Sequence, residues 1–484
     1  MLEGQKCLVI GSGISGIGAA VLLEKNHADV VLYDSSDKLT GEDLKAKLPE
    51  GSRAACIAGE LPENVELSIQ AAVLSPGVPT DIPLVNRMRD RGVQILGEIE
   101  LGFLAEQGRV IAITGTNGKT TTTTLTGEIM KAHFGAEKTF VVGNIGNPYT
   151  LEVTKTSKDS VTVGEISSFQ LETIHTFHPV VSAILNITPD HLNRHHTMEA
   201  YVAAKEAVAS QQTKADICVL NYDNDYTRDF AGRCPATPVL FSSHQELENG
   251  YFLRGDKIIK SVNGEEHELM DIHKDMNLVG LCNVENVMAA IAIAEGMQVP
   301  METILTVIRG FHAVEHRIEF VATKGGVDYY NDSKGTNPDA AIQGIKAMSR
   351  PTVLIGGGYD KQSEYDEWID SFDGKVKCLV LIGQTRKKIA ETLCKTVKNT
   401  FAGVYGWWFV ICKATPETAR QRKVAKVARD TNGRAVILLF FLTDGLDFVF
   451  QMCQHLAVYI QVGFAHSVKQ KVRQAVQFGI CRHQ

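Results

Sequence analysis

The stretch Ile111–Thr122 reads IAITGTNGKTTT, an apolar strand running into a glycine-bounded turn that ends in Gly-Lys-Thr. Gly115 and Gly118 let the backbone close on itself, so that consecutive N–H groups face inward and cradle phosphate oxygens where a helix begins. Lys119 adds a point charge for the outer phosphates, the Thr120 hydroxyl can reach a magnesium ion, and Thr121 continues the first helical turn. Such a strand, loop and helix belong to an α/β sheet and imply a nucleoside triphosphate. The loop is shorter than the usual G-x-x-x-x-G-K-[ST], with Gly115 only three positions before Gly118, and a strand-to-helix turn without a ligand is the competing reading.

Upstream, Lys6–Ile10 is a short apolar strand followed by Gly11-Ser12-Gly13-Ile14-Ser15-Gly16, an Ala/Leu-rich helix, and a strand from Asp29 to Tyr33 that ends at Asp34 and Ser35. This is a Rossmann-type βαβ opening, with the acidic residue about 20 positions beyond the glycines, and alone it predicts a dinucleotide. AAVLSPGVP, from Ala71 to Pro79, is a further strand that breaks at Ser75-Pro-Gly77. The segment from Glu98 to Gly108 reads as a linker into a second α/β unit.

Downstream, TFVVGNIGN carries Asn144 past its strand, VTVGEISSFQLE places Glu165 and then Gln170 at its end, and VSAILNITPDHLNRHH places Asn186, Asp190 and His191. The carboxyl edge of an α/β sheet is where ligands collect. Thr197 reads as the N-cap of a helix that carries Lys205 about two turns in. From Val314 the pattern restarts with HRIEF, VDYYNDSKGTNP, PTVLIGGGYDK and KCLVLIG, a third α/β domain. A chain of 484 residues at about 100–200 per domain agrees with three.

A net charge of −7 argues against non-specific nucleic-acid or acidic-membrane binding. The opening MLEGQKCLVIGSG lacks the pattern of a signal peptide, and no apolar run approaches the ~20 residues of a membrane span. Ten cysteines without a C-x-x-C pair suit a reducing compartment and offer no zinc site, so the cytoplasm is expected. The last stretch differs. Residues 401–484 hold eleven Lys/Arg against four Asp/Glu, with Trp407 and Trp408 side by side. Two readings stand for it: a native strand or helix, or translation in a wrong reading frame.

A carboxylate and an imidazole over a phosphate loop, Glu165 and His191, are suitable magnesium ligands. A loop-capping Glu165 and a surface His191 are the bland alternatives. Arg317 suits phosphate charge and Asp332 ribose hydroxyls, with Lys334 close by in sequence; fixed cations aimed at a transferring phosphoryl group lower its barrier. Gly356-Gly357-Gly358 before Lys361 offers backbone amides and a cation to a small carboxylate, against the alternative of an unliganded turn.

GTNGKTTT, GNIG, EISSFQLE, NITPDHLNRH, the downstream Lys205, GLCNVENVMAA, HRIE, NDSKGTNP and GGGYDK occur in the order found in the Mur ligases, and the chain resembles that family over about residues 5–400. EISSFQLE and NDSKGTNP look like its D-glutamate-adding branch. The resemblance implies three domains: a Rossmann-like one over 1–100 for a uridine nucleotide, a central ATPase with a mostly parallel sheet over 101–314, and a Rossmann-like α/β domain over 315–484 that closes over ATP. Cofactors would be ATP and two Mg2+ ions; substrates would be UDP-N-acetylmuramoyl-L-alanine and D-glutamate, bound by a monomer with no nucleic-acid or membrane partner.

Residue by residue, the resemblance places Ser12, Ile14, Asp34 and Ser35 by the uridine diphosphate, and Ser75, Gly77, Asn144 and Gln170 by the rest of the sugar nucleotide. Gly115, Thr116, Asn117, Gly118, Lys119, Thr120 and Thr121 would hold the ATP phosphates, with Asn283, Arg317 and Asp332 as further contacts. Thr120 and Glu165 would serve the first magnesium, His191 and a carbamylated Lys205 the second. Lys334, Thr336 and Lys361 would serve the reacting centre and D-glutamate. The implied catalytic groups are Lys119, His191, Lys205, Arg317 and Lys334. The chain departs from the family's G-x-H-N at Cys282, and the family's Ser-Pro-Ala loop is not found after Phe401. Rival readings are an NAD-dependent oxidoreductase, from Gly11, Gly13, Gly16 and Asp34; a catalytically impaired nucleotide-binding homologue; and a Mur- or folylpolyglutamate-type ligase for another amino acid.

Overall fold

The computed structural model describes residues 2–400, 408–411 and 435–439. The reading-frame question concerns residues that lie largely outside these. Contact density divides the chain into two compact units, one of residues 1–277 with 283–311 and one of residues 278–282 with 312–484.

The first unit holds two sheets. β1 (Lys6–Ile10), β2 (Asp29–Asp34), β3 (Ala55–Ala58), β4 (Ala71–Leu74) and β5 (Gln94–Gly97) form a parallel sheet in the order β3-β2-β1-β4-β5. Strand order reverses between β1 and β4, and ligands of open α/β sheets bind at such a switch point. Gly11 and Ser75 meet there, the Ser75 Oγ donating to the Gly11 carbonyl at 3.2 Å. Gly16 must stay a glycine, because a Cβ would lie 1.9 Å from that same carbonyl oxygen.

β6 (Arg109–Thr114), β7 (Thr139–Gly143), β8 (Val161–Glu165), β9 (Val181–Ile184), β10 (Ile217–Asn221), β11 (Thr237–Ser242), β12 (Gly250–Arg254), β13 (Lys257–Val262) and β14 (Glu265–Asp271) form the second sheet, in the order β14-β13-β12-β11-β10-β9-β6-β8-β7. It is parallel from β7 to β12 and antiparallel across β12, β13 and β14. β6, β8 and β9 are almost wholly buried, as inner strands of a parallel sheet covered on both faces should be. The carboxyl ends of β6, β8 and β9 lie side by side.

The linker reading of Glu98–Gly108 is corrected: Glu98–Ala105 is a helix, with Glu98 to Gly102 buried. Its carboxylates replace water with backbone donors. Glu98 Oε1 accepts from the Thr150 N–H and hydroxyl, while Glu100 accepts from the N–H groups of His175, Thr176 and Phe177. Burial raises the Glu98 carboxyl above its ordinary range, opposed by those hydrogen bonds.

In the second unit, β15 (Glu319–Lys324), β16 (Val327–Asn331), β17 (Thr352–Gly358), β18 (Val376–Gly383), β19 (Trp408–Ile411) and β20 (Ala435–Leu439) are ordered β15-β16-β20-β17-β18-β19. Only the β15–β16 pair is antiparallel among these described strands. Trp368, Phe372, Leu379 and Leu381 lie in its core. No helix among the described residues is long and apolar enough to cross a membrane.

Candidate active site

The phosphate loop follows β6. Gly118 takes φ +83°, a left-handed conformation that a side chain would strain, and stands as N-cap of the helix Lys119–Phe134. A Cβ there would also lie 2.2 Å from Asn286 Oδ1. The loop is pinned from β9's side: the Asn117 N–H donates to Asn186 Oδ1 at 2.8 Å, and the Thr116 N–H to the Asn186 carbonyl at 2.9 Å. Thr122 donates to Asn286 Oδ1 at 3.2 Å. Lys119 folds back over the loop, its Nζ 2.9 Å from the carbonyls of both Gly115 and Thr116. Thr120 and Thr121 are buried in the first turn.

Thr197 caps the helix Met198–Glu206 by accepting from the Ala200 N–H, and two turns on Lys205 is buried to 1 % exposure. Its Nζ donates to the Gly115 carbonyl at 2.7 Å and lies 4.8 Å from the centroid of the Tyr201 ring. Burial first and the Lys119 charge second push its pKa well below the ordinary lysine value, while Asp190 opposes. The phosphate loop therefore carries a buried amine held toward its neutral form.

Glu165 ends β8 at 2 % exposure. One oxygen accepts from Asn144 Nδ2 at 2.7 Å; the other, Oε2, is buried with no hydrogen-bond partner. An orphaned carboxylate oxygen at the carboxyl edge of the sheet fits a hard cation that takes oxygen ligands. His191 stands at φ +55°, half-exposed, with Nε2 3.6 Å from Asp190 Oδ2 and its ring 4.9 Å from that of Phe169. Of the following histidines, His195 is buried against Ser168 and Glu172, and His196 is exposed near Asp81.

At the first sheet, Asp34 Oδ2 accepts from the Ser12 N–H at 3.0 Å and hydroxyl at 2.6 Å. Burial works against its charge, but the Ser12 and Ser36 hydrogen bonds and nearby Lys47 hold the carboxyl below its usual range. Lys47 itself donates to Ser12 Oγ at 2.9 Å, a cation the motif reading missed. Ile14 and Ser35 are exposed at the mouth of this loop, as is Gly77 on the turn after β4. Gln170 is buried, and its side-chain oxygen closes a capping box with Ser167.

In the second unit, Asp332 is buried and accepts from the Ile318 N–H at 3.0 Å. Burial pushes its carboxyl up to about 7 against the pull of Arg317. Arg317 donates to the Lys334 carbonyl at 3.1 Å, and Lys361 to the Thr336 carbonyl at 3.2 Å. Asn283, in the helix Leu281–Gly296, accepts from Asn286 Nδ2 at 3.1 Å.

Fold and site together define a multidomain, phosphate-loop, nucleotide-binding α/β protein. Three family models match in chain order: the Mur ligase MurD-like N-terminal domain over residues 5–97, the Mur ligase middle domain over 113–294, and the Mur ligase glutamate ligase domain over 316–440. The chain is 55 % identical over 394 residues to the UDP-N-acetylmuramoylalanine--D-glutamate ligase of Lachnospira eligens, covering 81 % of this chain and 86 % of the relative. It is 44 % identical over 390 residues to the enzyme of that name from Clostridioides difficile, covering 80 % and 85 %. Among solved structures, the UDP-N-acetylmuramate-alanine ligase of Thermotoga maritima matches with TM-score 0.57 at 18 % identity, covering 94 % of this chain and 99 % of that one, a likeness of fold alone. The protein belongs to the Mur ligase family.

Proposed function

We propose that the protein is an ATP-dependent ligase that adds D-glutamate to UDP-N-acetylmuramoyl-L-alanine in peptidoglycan precursor synthesis. The names of its relatives, at up to 55 % identity over most of the chain, support this reading. The observation that carries it is the buried Lys205 amine on the phosphate loop beside Lys119, with the orphaned oxygen of Glu165 on the neighbouring strand. A dehydrogenase has no use for a phosphate loop so equipped.

A carboxylate is a poor electrophile. In the reaction, the alanyl carboxylate oxygen attacks the γ-phosphorus of ATP, the bond to ADP breaks, and an acyl phosphate forms. The D-glutamate amine then attacks the acyl carbon, phosphate leaves, and the amine gives up a proton. Lys119 and Arg317 neutralise phosphoryl charge, and the Gly115–Gly118 loop at the head of its helix orients the triphosphate. His191 and Lys334 serve the reacting centre, Asn283 and Asp332 the nucleotide, and Thr336 and Lys361 D-glutamate. The sugar nucleotide lies along Ser12, Asp34, Ser75 and Asn144.

Lys205 acts as a carbamate: its neutral Nζ adds to carbon dioxide and releases a proton, turning a cation into an anionic ligand. Thr120, Glu165, His191 and that carbamate would hold two magnesium ions, which supply charge neutralisation for the transferring phosphoryl group. The chain acts as a cytoplasmic monomer in this reading, and Cys7, Cys56, Cys218, Cys234, Cys282 and Cys378, none of them in a disulfide, suit a reducing compartment. The test is phosphate release by the purified chain with ATP and magnesium. Dependence on both D-glutamate and UDP-N-acetylmuramoyl-L-alanine is expected; release with neither substrate, or with another amino acid in place of D-glutamate, would overturn it.

A further inference from the structure

Arg194 grips the two walls of a cleft at once. The cleft lies between the turn after β4 and the short helix Ser168–Leu171; Ser75, Pro76 and Val78 line one side, Phe169 and Gln170 the other. The Arg194 guanidinium donates from Nη2 to the Val78 carbonyl at 3.1 Å, and its carbon lies 5.0 Å from the centroid of the Phe169 ring. It is itself held by Glu172, through Nη2 to Oε2 at 2.7 Å and Nε to Oε1 at 3.4 Å.

The pair is mostly buried, with side chains 13 % and 15 % exposed. His195 fixes the carboxylate from behind: its Nδ1 lies 3.3 Å from Glu172 Oε1 and its Nε2 2.9 Å from Ser168 Oγ. A buried ion pair is a costly way to gain stability, because desolvation offsets the attraction, so its use lies in the geometry that it imposes. A planar guanidinium can meet a carboxylate edge-on, a carbonyl and a ring face together, which an ammonium cannot.

We propose that Arg194 is a positioning residue for the muramoyl-alanyl end of the first substrate, setting the width of the cleft that receives it. The proposal rests on the functional reading above. The hydrogen bonds of Arg194 go to Val78 and Glu172, none to Ser12 or Asp34, where the uridine diphosphate end is placed. Arg194 separates the affinities of the two ends.

Calorimetric titration of the full chain with UDP and with UDP-N-acetylmuramoyl-L-alanine tests this. In Arg194→Met the dissociation constant for UDP-N-acetylmuramoyl-L-alanine should rise about 10-fold while that for UDP stays within about 2-fold, with Arg194→Lys between the two proteins. Glu172→Gln, which keeps shape and a hydrogen-bond acceptor, should give the same selective shift at about 3-fold should Arg194→Met not fold. Unchanged affinity for both ligands, or an equal loss for both, would overturn the proposal. Failure of the wild-type chain to bind the full sugar nucleotide would instead sink the functional reading beneath it.

Discussion

The Lys205 ammonium nitrogen lies 2.7 Å from the Gly115 carbonyl, so the residue that opens the phosphate loop also anchors a fully buried lysine. A second cation, Lys119, contacts the same carbonyl at 2.9 Å. Two cations on one acceptor in a low-dielectric site repel, and the less solvated one yields its proton more readily. That is the local reason for expecting chemistry at Lys205. In protein equilibrated with 13C-labelled bicarbonate, a carbamate carbon resonance should appear and be missing from Lys205→Arg, with turnover falling at least about 100-fold in that variant.

Glu165→Gln keeps the length of the side chain and the contact with Asn144, and removes the negative charge. The magnesium concentration needed for half-maximal activity should rise at least about 10-fold, with little change in melting temperature. A large fall in thermal stability with an unchanged magnesium requirement would mark Glu165 as a structural group only.

Gly16→Ala should fail through its backbone contact. The added methyl would lie 1.9 Å from the Gly11 carbonyl oxygen and 2.8 Å from Ser75 Oγ, so the turn after β1 must open. The expected cost is about 1–3 kcal/mol of stability, with loss of UDP affinity, read by thermal melting and titration.

Asp332 gives a pH dependence with a definite sign. Its carboxyl rises from 3.8 to about 7 on folding, so the folded state binds the proton more tightly than the unfolded one. The stability of its unit should fall as pH rises from about 4 to 7 and level off above, at a total of roughly 4 kcal/mol for an isolated group. Asp332→Asn should flatten that slope and raise the melting temperature above pH 7, while weakening ATP binding. A slope unchanged in Asp332→Asn would remove Asp332 as its source.

Much of this was legible in the sequence because local chemistry governs it. β1 and β6 announce themselves as apolar runs closed by glycines, and Thr197 caps its helix as a threonine before a helical run should. Glu98–Ala105 was misread because glutamates in a short connecting segment look like a solvated charge run. Their partners, the N–H groups of Thr150 and His175–Phe177, lie 52 or more positions away and leave no local trace. Arg194 and Glu172 escaped notice for the same reason: each sits inside a motif read for its neighbours, and only the packing of one domain on the next brings Val78 to the guanidinium. Lys47 likewise reaches Ser12 across 35 positions.

In the proposed reaction the phosphate loop uses ATP to activate an acid that an amine then captures. The most direct measurement is single-turnover phosphate release from γ-labelled ATP, with UDP-N-acetylmuramoyl-L-alanine and D-glutamate added separately and together. Stoichiometric amide product and phosphate only when both are present is the predicted result. ATP turnover indifferent to both, or binding of all three without product, would contradict it.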